Sequence, residues 1–557
     1  MPRAEGLRAI GRRSRQVVLL AAVTGATTGL FVAAFERLTS EGLLTTVKRQ
    51  SLWVQGAAPM VGLLIAAAAL RWLAGGATAS TADEYIKSFH DRNRRMDERP
   101  VVGRIVASIA TLGFGGALGY EGPSIYIGSA VGTGIQRRLS RFFGREDAKV
   151  LLVCGAAAGV SAIFKAPATG IVFALEVPYQ DDLARRMLLP AAISSAASYV
   201  VFAALAGTSP LLPVRGVAPF NFVDLGGAAL IGLLCGFGAR LFVLLLREAK
   251  RIAAWGHPFL RALAAGAVLA GLFASSRLMV GESLTLGPGY DALRWALDPH
   301  RAVLLVLGLF LVRAVAAATT IAGGGAGGLF IPLVIEGALV GRAVSGLFAS
   351  GPDSTLFPVI GIAAFLGAGY RVPLASVMFV AEFTGRPGFV VPGLIAAVIA
   401  QLVMGRTSAS AYQVASQGGH LERRFALPLS SALQTDVMTL PPDATVSEFF
   451  WQHLVGTRQQ LVPVVEGNVY LGMAHLDELT DVPREDWETT AVCEIMRTDL
   501  PVAQPSWLLR DAILAMEEAD VDRLPVCDAQ GGFIGVISSA EIIHLDAILG
   551  RTEGEPT

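Results

Sequence analysis

Apolar and polar positions divide this chain unequally. Between residues 16 and 406 long apolar runs follow one another. The runs 17–35, 57–70, 224–246, 258–280 and 301–321 are each long enough, or nearly so, to cross a bilayer as helices. Others, such as 148–163 and 165–178, are too short and are interrupted by glycine and proline. Short broken segments at membrane depth are tolerated only inside protein or along a cavity, and they point to a transport site. Beyond about residue 428 the pattern becomes the charged and apolar mixture of a water-soluble region. The chain therefore reads as an N-terminal segment 1–15, a polytopic α-helical membrane region 16–428 in two halves (about 16–206 and 224–415), two α/β units 429–489 and 490–549, and an acidic tail 550–557.

Composition agrees with that division. Of 557 residues 53% are hydrophobic and 16% charged, and mean hydropathy is +0.55. These values exclude an ordinary soluble domain and a disordered chain. Acidic and basic residues balance at 45 each, so no bulk field favours nucleic acid. Cys154, Cys235, Cys493 and Cys527 lie too far apart for a metal-ligand or disulfide pattern. No HExxH occurs, which argues against a membrane metalloprotease, and no metal site or enzyme activity is expected. Arg12, Arg13 and Arg15 precede the first apolar run and place the N-terminus in the cytoplasm. That run lacks a small-residue cleavage site and reads as an anchor rather than a signal peptide.

The stretch "TLGFGGALGYEGPSIYIGSAVG" (111–132) sets one carboxylate, Glu121, in an apolar, glycine-rich segment. A lone ionised side chain at mid-bilayer costs about 3 kcal/mol or more. The stretch recurs at 320–341 as "TIAGGGAGGLFIPLVIEGALVG", with nine of 22 positions identical, Pro123/Pro332 among them. Repeated membrane halves often run in opposite directions about an in-plane axis. In each copy a glycine-rich segment meets a proline ahead of an apolar helix, and proline favours the first helical turn. A helix start carries unpaired N–H donors and about half a positive charge. Two such starts facing each other make an anion site of partial charges, which binds an anion and also lets it leave. Glu121 is itself an anion at one start. It can hold the anion's place and be displaced by anion or by protonation, so it is expected to gate the site.

These motifs resemble the CLC family of chloride channels and chloride/proton exchangers. "GYEGP" (119–123) is similar to the family's G-K/R-E-G-P, "GGLFIP" (327–332) to its G-x-F-x-P, and Tyr412 in "SASAYQV" to its late tyrosine. The "GPGY" at 287–290 resembles a family turn, and the likeness spans about 16–415. The resemblance implies a homodimer with a pore in each subunit, embedded in membrane lipid and moving chloride. It implies Glu121 as the gating glutamate, and anion contacts from Gly119, Tyr120, Leu329, Phe330 and the Tyr412 hydroxyl. The family's G-S-G-I-P-E is only faintly matched by "ASTADE" (79–84), which would make Ser80 the second hydroxyl. Serine there favours chloride in the family. In "FKAPATGIVFALEVP" (164–178) Glu176 matches the first of a glutamate pair, and Val177 stands where exchangers often carry a proton relay. Valine binds no proton, so the resemblance favours a chloride channel, with a chloride/proton antiporter as the alternative. Glu382 matches a structural family glutamate. Lys165 and Glu336 are intramembrane charges read as satisfied by partners.

The soluble region holds its own repeat. "QLVPVVEGNVYLGMAHLDEL" recurs as "RLPVCDAQGGFIGVISSAEI". Each unit reads as a short strand, a helix, a hairpin and a helix. This resembles a pair of CBS domains, which often bind adenine nucleotide. "GVISSAE" (535–541) offers Ser538 and Glu541 for phosphate and ribose, and the first unit has His475 in the hydroxyl position. Runs of small residues point to a bacterial inner membrane with both termini cytoplasmic.

Overall fold

The computed structural model describes residues 2–91, 96–139, 149–208, 222–299, 301–345, 355–415, 425–455 and 461–552. Two compact units divide at 417/418, eleven residues before the boundary at 428 that the polarity pattern predicts.

The first unit is helical. Its first half holds α1 (Pro2–Glu36), α2 (Thr45–Lys48), α3 (Leu52–Trp72), α4 (Ala82–His90), α5 (Val101–Gly113), α6 (Glu121–Arg138), α7 (Val150–Phe164), α8 (Pro167–Glu176) and α9 (Leu188–Ala206). The second holds α10 (Phe222–Ala254), α11 (Pro258–Val280), α12 (Tyr290–Leu297), α13 (Val303–Ala322), α14 (Phe330–Ser345), α15 (Leu356–Tyr370), α16 (Pro373–Thr384) and α17 (Val390–Met404). Seven helical segments among the described residues are long and apolar enough to cross a membrane. The short helices α7, α8, α15 and α16 are not, as their broken sequences predict. They lie inside the unit: every residue of α7 and of α15 is buried, so their backbones meet protein rather than lipid.

The repeat is visible bond by bond. Gly119 and Gly328, equivalent residues of the two copies, exchange N–H···O bonds of 2.8 Å in an isolated antiparallel bridge. Equivalent residues paired antiparallel are what an in-plane two-fold axis requires. The flanking backbone follows the same rule. Thr111 Oγ1 accepts from Ala326 N–H at 3.0 Å, and Thr320 Oγ1 accepts from Ala117 N–H at 3.2 Å. Each half thus satisfies the irregular backbone of the other, where no water is available to do so. Gly115 (φ 95°) and Gly324 (φ 85°) make the matching left-handed turns that only glycine adopts without strain. Two buried arginines repeat as well: Arg104 Nε donates to Thr78 O at 3.0 Å, and Arg313 donates to Gly287 O at 3.2 Å. Both therefore hold the non-helical turn of their own half.

Packing between consecutive helices relies on missing side chains. A Cβ on Gly128 would overlap the backbone of Gly155, and one on Gly337 would overlap that of Gly361. Small residues of this kind let membrane helices approach closely. The α8 and α16 helices cap each other: Glu382 accepts from Ala168 N–H (2.8 Å) and Thr169 N–H (2.6 Å). Glu176 accepts from Leu374 N–H (3.1 Å) and Ala375 N–H (2.8 Å). These carboxylates satisfy helix-start donors and complement the dipole.

The second unit is built on two antiparallel hairpins, β1 (Leu461–Glu466) with β2 (Val469–His475) and β3 (Arg523–Cys527) with β4 (Phe533–Ser538). Leu440 pairs parallel to Val464 and Ala503 to Val526, one beside each hairpin. On the far edges, Arg497 pairs with Met473 and Gln434 with Val536. Gln434 leads the first repeat yet lines the second hairpin, and Arg497 leads the second yet lines the first. The repeats exchange their leading segments, so a cut at 489/490 does not separate two self-contained units.

Candidate functional site

The two helix starts that the sequence picks out lie against each other through the Gly119–Gly328 bridge. The α6 helix begins at Glu121 and α14 at Phe330, so the prolines at 123 and 332 fall within the first turn. Glu121 is fully buried. Its Oε1 accepts from the Phe330 N–H at 2.5 Å. Oε2 has no hydrogen-bond partner among the described residues. A carboxylate from one helix start thus sits on the donors of the other, where an inorganic anion would find the same partial charge. A Cβ on Gly119 or Gly328 would overlap this carboxylate, which accounts for glycine at both positions.

The other expected contacts are placed as follows. Leu329 and Phe330 present their backbone at the α14 start, and the Phe330 ring packs on Phe164 (4.5 Å), Phe379 (4.9 Å) and Phe173 (5.5 Å). The Gly119 amide is committed to Gly328 and offers no free donor. Tyr120 is buried, with its ring edge-on to Phe35 at 6.2 Å. Ser80 is half-buried ahead of α4, and the neighbouring Thr81 is the residue that donates to Gly327 O, at 3.2 Å. Tyr412 is 45% exposed, with Lys87 Nζ 5.8 Å above its ring. Val177 is buried at the end of α8. Lys165 donates to Ala206 O at 3.2 Å.

Tyr370, the last residue of α15, is buried, with its ring edge-on to Phe173 at 5.7 Å. It stands where Phe164 stands in the first copy, since "FKAP" (164–167) returns as "YRVP" (370–373). A cavity of about 350 Å³ in the same unit is lined by Arg247, Lys250, Arg406, Ser408, Ser410 and Gln413. Lys250 is held by Asp83 at 2.8 Å.

In the second unit Ser538 and Glu541 are adjacent and already engaged. Ser538 Oγ accepts from the Glu541 N–H at 3.3 Å, capping the terminal helix, and Glu541 Oε1 accepts from Gln434 at 2.9 Å. Among the described residues no group of three or more His, Cys, Asp or Glu is placed to hold a metal.

Comparison with known proteins follows the same division. The family profile described as voltage gated chloride channel matches residues 61–405, and that of the CBS domain matches 492–547. The H(+)/Cl(-) exchange transporter ClcA of Salmonella paratyphi A is 27% identical over 414 residues, covering 70% of this chain and 86% of its own length. The ClcA of Citrobacter koseri is 28% identical with the same coverage. Among solved structures, a slow cyanobacterial Cl−/H+ antiporter superposes with TM-score 0.61 at 18% identity, over 70% of this chain and 94% of its own. A eukaryotic CLC transporter gives 0.56 at 18% identity, over 94% and 97%. The structural likenesses are of fold.

Proposed function

We propose that this chain, which belongs to the voltage-gated chloride channel (CLC) family and is an integral multi-pass membrane protein with a C-terminal CBS domain, exchanges chloride for protons. The sequence alone favoured a channel, because Val177 cannot bind a proton. The two curated relatives described above carry the name exchange transporter, and they support the alternative. The geometry that carries the reading is the Glu121 carboxylate seated on the Phe330 amide. One group then does two things: charged, it excludes the anion; protonated, it releases the amide and lets the anion in. Proton binding and anion binding at that spot are linked, which is the physical requirement for exchange.

The cationic cavity supports an anion route, since Arg247, Lys250 and Arg406 raise the local anion concentration. On this reading water delivers the proton past Val177. The test is a flux assay on purified protein in liposomes. A chloride gradient is expected to drive protons uphill, and purely passive chloride movement overturns exchange in favour of a channel. The Val177→Glu variant is expected to keep chloride-driven proton movement and to speed it. Proton movement that appears only in the variant would mean that the wild-type chain has no proton route.

A further inference from the structure

We propose that the cavity beside the end of α10 binds hydrogen phosphate, and that its occupancy slows the passage of chloride. The effect on chloride rests on reading this cavity as part of the anion route; the binding site itself does not.

The first argument is charge. Arg247 and Lys250 reach the cavity from α10, and Arg406 reaches it from the turn after α17. Lys250 Nζ is held by Asp83 at 2.8 Å and donates to Ala409 O at 3.0 Å. Arg247 and Arg406 have no ion pair among the described residues. Three positive charges against the one carboxylate of Asp83 leave two in excess. A phosphoryl group carries about 1.5 to 2 negative charges at neutral pH, and chloride carries a single one. Arginine also meets phosphate oxygens as a planar fork, a geometry that a spherical halide cannot use.

The second argument is space. The volume of about 350 Å³ lies at the lower end of small-molecule sites, which run roughly from 300 to 1,000 Å³. A water-sized particle fills only about 30 Å³. A lone chloride touches one wall and leaves the other cations to solvent. A tetrahedral oxyanion with a few waters reaches several walls at once.

The third argument is the set of unused hydrogen-bonding groups. Ser410 is 8% exposed, and its Oγ has no partner among the described residues. Ser408 Oγ accepts from the Ser410 N–H at 3.2 Å, which leaves its own hydrogen to donate. Both serines line the cavity and suit the oxygens of an anion. Gln413 lines it too and adds a group of the opposite kind. Its Nε2 donates to the carbonyls of Val177 (2.9 Å), Tyr179 (3.3 Å) and Tyr370 (2.8 Å), which fixes how the amide is turned. Its Oε1 is therefore an acceptor, buried and without a partner among the described residues. A halide has no hydrogen to give that oxygen. Hydrogen phosphate has one O–H to donate there, while its other oxygens accept from the arginines and serines. Leaving a buried acceptor unpaired costs free energy, so this ligand satisfies groups that chloride cannot.

The experiment titrates inorganic phosphate, sulfate and chloride into the purified full chain in detergent, by calorimetry. Sulfate matches phosphate in size and charge but brings no O–H at neutral pH, so phosphate is expected to bind about fivefold tighter or more, with chloride weaker still. Arg247→Gln/Arg406→Gln is expected to lose phosphate affinity about tenfold or more, with thermal unfolding confirming that it is folded. Sulfate that binds as tightly as phosphate overturns the ligand assignment, and that comparison needs no variant. No phosphate binding, or undiminished binding by the double variant, overturns the site. A phosphomonoester on a lipid shares this chemistry, so phosphatidic acid in mixed micelles is the second titrant. Its displacement of phosphate supports the site with the membrane as a source, and a failure to displace supports a free anion. Chloride flux from phosphatidylcholine liposomes, with phosphate on both sides, then tests the effect. Phosphate is expected to slow the wild type and to spare the double variant. Wild-type flux that ignores phosphate overturns the control of chloride passage, while proton coupling measured without phosphate stands or falls separately.

Discussion

Glu121→Gln is expected to give a protein whose chloride flux ignores external pH and whose proton transport is lost. The wild-type carboxylate competes with chloride only while charged. Lowering external pH protonates it, removes the charge that the α14 amides hold, and lets anion in, so wild-type flux should rise as external pH falls. Glutamine has the same shape, is uncharged at every working pH, and carries no titratable proton. A hydrogen bond to a charged group contributes about 1.5–3 kcal/mol, so removing the competitor should tighten apparent anion binding by about 10- to 100-fold. Chloride efflux from liposomes across a series of external pH values is the measurement. A pH response that survives in the variant would place the sensor on another residue and end the gate assignment.

Much of this site was legible in the sequence, because the features that build it are backbone features. Glycine and proline mark where a helix starts, and their recurrence 209 residues later pairs the two starts. The structure begins α6 and α14 at equivalent residues, Glu121 and Phe330. The choice between channel and exchanger turned on Val177, a single position. A proton carried by water needs no side chain there, so that residue's identity could not decide the matter. The exchange of leading segments in the second unit was hidden for a related reason: strand pairing across repeats is a long-range choice that local periodicity does not encode.

Arg313→Met is expected to cost about 3–5 kcal/mol, the ordinary price of removing one member of a buried charge network. Arg313 is 1% exposed in α13. It donates to Leu284 O (3.3 Å), Thr285 O (3.2 Å), Gly287 O (3.2 Å) and Pro288 O (2.8 Å), all in the turn before α12. Those carbonyls belong to irregular backbone inside the membrane unit, where no solvent can replace the guanidinium. Lysine should not rescue, because a single ammonium cannot span four acceptors as the planar fork does. A second charge depends on the same residue. Glu336, on α14, is buried with Oε2 unpartnered among the described residues, and Arg313 is the opposing charge that acts on it. Losing Arg313 therefore strands a carboxylate as well as four carbonyls. The two parts separate in a double-mutant cycle measured by thermal unfolding in detergent. Adding Glu336→Gln to Arg313→Met should restore the electrostatic share and leave the carbonyl share unrepaired. If Glu336→Gln restores nothing, the arginine serves the turn alone, and the carboxylate on α14 is held by something other than its charge. In the first half Arg104 makes the equivalent bond to Thr78 O but also pairs directly with Glu84 at 3.2 Å. Arg104→Met should therefore lose a contact ion pair, which the Arg313 network lacks among the described residues, and its cycle with Glu84→Gln should show the larger coupling.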